Sequence, residues 1–163
     1  MSVRLELDLQ IATRATSLPE AAAFERWAAA ALEGRRARAA LTIRVAGTEE
    51  ATILNRVYRG RDGPTNVLSF PFELPPGVDP RDPIAELIGD LVICADVVER
   101  EALAQRKAAP AHWAHMVVHG VLHLLDYDHL TEPDAARMES LETQILGGLG
   151  FPTPYETGAV RSG

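Results

Sequence analysis

The sequence predicts an α+β fold: a single domain built on a small mixed four-stranded sheet with about five helices. Three observations carry this. Segments that alternate apolar and polar residues are interleaved with segments of helical periodicity, in the order βαβαββ followed by three helices. Some strands are therefore joined by helical crossovers and others directly, which gives a sheet of mixed direction. The composition, 47% hydrophobic and 24% charged over 163 residues, is that of a chain able to bury one core unaided. No internal repeat, low-complexity run or linker divides it.

Residues 3–12 alternate as a half-buried strand. Leu18–Leu32 reads as a helix, with Ser17 as N-cap, Pro19 in the first turn and Gly34 at its end. Ala40–Val45 alternates again. Thr48 is expected to cap a helix over Glu49–Tyr58, stopped by Gly60. Asn66–Phe72 reads as a strand, which Pro71 places at an edge or a strand end. Glu73–Pro83, with four prolines and a glycine, reads as a loop long enough to form a mobile flap. Leu87–Cys94 is a fourth strand, interrupted at Gly89-Asp90, where Asp90 is expected in a turn or bulge. Helices follow over Ala95–Arg106, from Pro110 to about Leu125, and from Glu132-Pro133 to Gly147. The end of the chain, 152–163, is expected to fray; the domain is taken to run over 1–155, with 156–163 as tail.

Charge and cysteine content narrow the function classes. The lone Cys94 permits no intrachain disulfide, which suits a reducing compartment. No apolar run reaches membrane-spanning length and no signal-peptide core opens the chain, so a cytoplasmic protein with no membrane partner is expected. A net charge of −7 argues against nucleic acid. Its distribution argues the other way, because seven arginines (35, 36, 38, 44, 56, 59 and 61) fall between Arg35 and Arg61 beside two acids, Glu49 and Glu50. A solvated surface and a phosphate-binding face are both open readings of that stretch.

All five histidines fall between 112 and 129. His112, His115 and His123 lie within about 40° of His119 on a helix, so the four form one stripe. The rest of that helix is mostly apolar, hence buried. Buried imidazoles need partners, and several in one stripe are readily satisfied by a cation. His119 and His123, at i and i+4, address one point, and His129 supplies a third ligand if the chain turns back near Asp126-Tyr127. The spacing matches the zinc-protease motif H-E-x-x-H-x-x-G-x-x-H at all three histidines. Three imidazoles leave one position open on a tetrahedral zinc, as in catalytic sites. Gly120 stands where the protease has its general-base glutamate, and Asp126 replaces the turn glycine. Asp126 and Asp128 are each candidates to support an imidazole, or plain solvated turn acids.

The stretch His119-Gly120-Val121-Leu122-His123-Leu124-Leu125-Asp126-Tyr127-Asp128-His129 resembles the signature H-G-x-L-H-L-x-G-Y-D-H of the YbeY family, departing from it only at Asp126. Further blocks agree, in order: Leu54-Asn55, Tyr58-Arg59-Gly60, Pro64 to Phe72, Leu87 to Cys94, and Ala111 to Met116. The resemblance implies a single-strand-specific, metal-dependent endoribonuclease, a hydrolase of phosphodiester bonds. It implies one Zn2+ per chain on His119, His123 and His129. The implied roles are 16S rRNA 3′-end maturation and ribosome quality control, with single-stranded RNA and the ribosome or small-subunit ribosomal proteins as partners and no DNA.

The resemblance implies that Arg59 is the family's functional arginine near the metal, whereas its position alone favours an ordinary surface arginine. Arg59 and His119 are thus the expected catalytic residues, and Arg59, Ser69 and His115 are expected to bind substrate. Ser69 and Thr65 suit phosphate binding or local hydrogen bonding. His115 suits RNA contact, proton shuttling or simple burial. Phe70 and Phe72 suit base stacking or the core. Attack by a zinc-bound hydroxide or by the 2′-hydroxyl are both open. The alternative functions are a ribosome-assembly binding factor with a chiefly structural zinc, and a metallopeptidase, which Gly120 disfavours.

Overall fold

The computed structural model describes residues 3–15 and 17–155. Four strands, β1 (Arg4–Ala12), β2 (Arg38–Ala46), β3 (Val67–Pro71) and β4 (Leu87–Cys94), form one sheet in the order β1-β2-β4-β3. β1 and β2 run parallel, as do β2 and β4, whereas β3 is antiparallel to β4. Five α-helices complete the α+β domain: α1 (Ala21–Leu32), α2 (Thr48–Arg59), α3 (Ala95–Ala104), α4 (Ala109–Leu124) and α5 (Glu132–Gly148). A short 3-10 turn, Pro83–Glu86, precedes β4. None of the described helices is long and apolar enough to cross a membrane.

The alternation in each strand divides the core between the two sheet faces. Leu41, Ile43, Val45, Val67, Leu91 and Ile93 point to the side covered by α1 and α4. There Phe24 meets Trp113 edge-on at 5.7 Å and Trp27 at 5.8 Å. Leu68, Val92 and Ala46 point to the other side, against Leu54 of α2 and Phe70. Packed against β3 and β4 and against α1, α3 and α5, α4 is buried nearly all round, as its composition requires.

Several local expectations are corrected. α1 starts at Ala21 with Glu20 at the cap and no side-chain cap bond, so Ser17 does not cap it. Gly47 caps α2 instead of Thr48, whose hydroxyl donates to Asp96 of α3 at 2.7 Å and ties the two helices together. β4 is continuous. The irregularity lies one residue earlier than Gly89-Asp90, at Ile88, where Leu87 pairs with Ala40 but Gly89 with Leu41. Gly89 has φ +141°, and a Cβ there would lie 2.3 Å from the Phe70 carbonyl, so only glycine fits. Pro71 does close the edge strand β3, which pairs with β4 alone. The proline-rich loop is held locally: Arg81 pairs with Asp79 at 3.1 Å, and Asp82 accepts the Ile84 N–H.

The expectation of fraying from 152 is also corrected as far as Tyr155. Phe151 packs on Trp27 at 6.3 Å and donates its N–H to Leu146, and the Thr153 hydroxyl lies 3.3 Å from that of Thr143. The tail 156–163 lies outside the described residues.

Candidate metal centre

α4 delivers His119 and His123 one turn apart at its C-terminal end. The helix stops in a Schellman arrangement: the Tyr127 N–H reaches the Leu122 carbonyl and the Asp126 N–H the His123 carbonyl, both at 3.0 Å. Asp126 takes the left-handed conformation this stop requires, with φ +74°. The residue that departs from the glycine pattern therefore adopts the glycine conformation, and the chain turns back towards the helix. His129 then lies with its ring centroid 5.1 Å from His123 and 5.7 Å from His119, which are themselves 4.6 Å apart. One ring nitrogen from each of the three lies within 4.8 Å of the others.

The donor set suits a divalent metal that favours nitrogen ligands. Burial, then the neighbouring His119 and His129, lower the His123 pKa to about 4, so this imidazole is neutral with a lone pair to offer. His119 is oriented by a carboxylate that sequence reading missed. Glu142 of α5, 0% exposed, lies with Oε2 2.5 Å from His119 Nδ1. That bond places the proton on Nδ1 and leaves Nε2 free to ligate. The other oxygen, Oε1, lies 2.9 Å from His115 Nε2 and accepts the Tyr155 hydroxyl. Burial alone would raise the Glu142 pKa, but the bonds from His115 and His119 outweigh it and hold it at about 2. Glu142, His115 and His119 are thus joined at hydrogen-bond distances as a proton-filled network.

The signal for Glu142 was present in the sequence. It stands four residues from both Met138 and Leu146, each 1% exposed, so it is an acid on the apolar stripe of α5. Asp128, for which imidazole support and a plain turn acid were both open, accepts the Leu130 N–H in the turn.

The three histidines open onto a cleft of about 730 Å³. Tyr58 and Arg59 of α2 and the edge strand β3, Ser69 included, line it with His119, His123 and His129. Arg59 is exposed in the last turn of α2, where Gly60 at φ +64° ends the helix. Of the seven clustered arginines, it is the one that lines this cleft. Arg38 and Arg44 instead pair with Glu86 and Glu50.

Ser69 donates its hydroxyl to the Gly120 carbonyl at 3.4 Å. Its backbone faces the open edge. Cys94 donates to Asn66 and Phe72 to Ile88, so residues 66, 68, 70 and 72 serve the ladder with β4 while 67, 69 and 71 point outward. Val67 N–H is capped by Asn66 Oδ1 at 2.6 Å and Pro71 has none, leaving the Ser69 N–H turned to the cleft side.

His115 does not reach the cleft. It is 9% exposed and sits against Glu142. Thr65 does not line it either, whereas Phe70 does, packed against Tyr58 at 5.0 Å. Gly120 faces the sheet: a Cβ there would meet the Leu91 methyls at 2.8 and 2.9 Å. A glutamate at this position would strike Leu91 of β4 and point away from the three clustered histidines, so the peptidase general base has no place here.

A family model described as endoribonuclease YbeY matches residues 10–150. The fold is similar to the solution structure of TM1509 from Thermotoga maritima, with a TM-score of 0.55 and 19% identity over 86% of this chain and 91% of that one. The protein that this sequence, sheet and histidine cluster describe belongs to the YbeY family of endoribonucleases, which act in ribosomal RNA processing.

Proposed function

We propose that this domain, residues 1–155, is a zinc-dependent, single-strand-specific endoribonuclease that matures the 3′ end of 16S rRNA and serves ribosome quality control in the cytoplasm. The observation that carries the reading is the placing of Arg59 and the three histidines on one cleft, lined on one side by a strand edge. A cleft of this volume suits a ligand of nucleotide size, which favours a single strand. His119, His123 and His129 hold the zinc, one ion per chain. When bound, the zinc supplies Lewis acidity and an acidified water.

The remaining work falls to the protein. The phosphodiester gains negative charge on its non-bridging oxygens in the transition state, and the Arg59 guanidinium, free to swing from the helix end, neutralises it. Ser69 binds the scissile region through its edge-facing N–H, its hydroxyl being engaged with Gly120. His119, oriented by Glu142, contributes as ligand. His115 acts on substrate only through that carboxylate. A chain of net charge −7 is helped onto RNA by a protein, for which the ribosome or small-subunit ribosomal proteins are the candidates.

The test is cleavage of a labelled single-stranded RNA spanning the small-subunit 3′ end, with zinc measured in each preparation. Wild type cuts. Arg59→Ala keeps zinc and loses about 10²–10³-fold in rate, the usual worth of a transition-state charge donor. Equal cutting by wild type, Arg59→Ala and His123→Ala would reject the assignment. Zinc-loaded wild type that never cuts, with Arg59→Ala functional in cells, would favour the assembly-factor reading.

A further inference from the structure

We infer that Glu142 is a positioning residue of the metal centre, and that through Tyr155 the segment 151–155 belongs to that centre as a structural part of it. The inference rests on the metal-site reading above. Glu142 is a fully buried acid; its hydrogen-bond partners among the described residues are His115, His119 and Tyr155. A carboxylate has acceptor capacity for all three at once. Of these partners, one is a metal ligand, one is a buried histidine on the same helix, and one lies beyond the end of α5.

The geometry gives each a function. Acceptance of the His119 Nδ1 proton fixes the tautomer and the ring plane, so that Nε2 faces the cleft. His115 fills the second oxygen from one turn below, and its ring stands 5.5 Å from that of Tyr155. The Tyr155 hydroxyl keeps its proton, because burial and then the Glu142 charge raise its pKa, so it always donates. The segment reaches this position by folding back along α5. Phe151 is anchored on Leu146 and Trp27, and the Tyr155 N–H bonds Thr153 Oγ1 at 3.4 Å. Without that return, one donor to the carboxylate is lost and the base of the network opens.

The experiment measures zinc affinity by competition with a chromophoric chelator on the full chain. Wild type, Glu142→Gln and Tyr155→Phe are compared, each checked for folding by melting of the zinc-free form. A glutamine offers a single acceptor oxygen, so one imidazole N–H then faces an NH2 group. Glu142→Gln should weaken zinc binding about 10–100-fold, and Tyr155→Phe by a smaller factor. A ¹⁵N NMR spectrum of wild type, which needs no variant to fold, should show His119 protonated at Nδ1 both with and without zinc.

Protonation of His119 at Nε2 instead, or a folded Glu142→Gln with wild-type zinc affinity, would overturn the inference while leaving the nuclease reading in place. Unchanged affinity in Tyr155→Phe would remove the C-terminal segment from it. Wild type that takes up no zinc would overturn the metal-site reading and this inference with it.

Discussion

The two halves of α4 carry the same residue type on the same stripe and put it to different use. In the N-terminal half, His112 is sealed in, with Nε2 2.9 Å from Glu101 of α3, and that carboxylate also accepts from Asn66 at the foot of β3. In the C-terminal half, His119 and His123 face a cleft that β3 also lines, and a carboxylate on α5 holds one of them from behind. Each half has a histidine–glutamate pair. What separates them is what lies on the far side of the ring: packed protein for His112, open space and two further imidazoles for His119. A helical stripe of histidines can thus hold a metal only over the stretch where the neighbouring elements withdraw.

Exchanging the effects of the two halves would break this comparison. His123→Ala removes a ligand and should abolish zinc retention and RNA cleavage while the fold remains, since its ring is only half-buried. His112→Ala should do the reverse, keeping zinc stoichiometry and costing about 1–3 kcal/mol of stability from the orphaned Glu101 and the vacated space. Metal analysis and thermal melts of both variants decide it. Zinc loss in His112→Ala and not in His123→Ala would invert the assignment.

Acid sharpens it further. His123 titrates near 4 in the fold against an ordinary 6.5, and burial lowers His115 as well. Both must gain protons on unfolding below about pH 6.5, so their neutral burial costs stability as the pH falls from there. Glu142 is held at about 2 against 4.5, so its contribution is present above about 4.5 and is lost on the way down to 2. The signs agree. The zinc-free protein should lose melting temperature steadily from pH 7 to pH 4, with the Glu142 contribution fading last; a flat profile would show that these groups are not buried in solution.

The smallest effect concerns the turn between the halves and His129. Asp126 holds φ +74°, a conformation that disfavours residues with a Cβ, although Asp is among the more tolerant. Asp126→Gly should leave zinc binding unchanged and raise stability by about 0.5–1 kcal/mol, read as a rise of roughly 1–4 °C in Tm. A fall in zinc affinity would mean that the Asp126 carboxylate itself supports the site.

The sheet, the five helices and the meeting of His119, His123 and His129 were legible because each rests on local order. Alternation marks a strand, the i and i+4 spacing sets two imidazoles on one side of a helix, and a residue tolerant of positive φ allows the turn that returns His129. Cap positions were less so, because Thr48 had a competing partner in Asp96 that only the packing of α2 on α3 brings near. Glu142 lies twenty-three residues from the imidazole it orients, and the choice for His115 between substrate contact and burial waited on the packing of α5.

By itself, then, the sequence determined which residues could bind a metal and that the chain would form one α+β domain, since periodicity and spacing act within a few turns of the backbone. Tertiary structure decided which histidines face solvent, which acid supports them, that Arg59 shares their cleft, and why Gly120 has no room for a side chain. Those outcomes depend on the approach of elements distant in sequence, and no local pattern encodes which face of a helix its neighbours leave open.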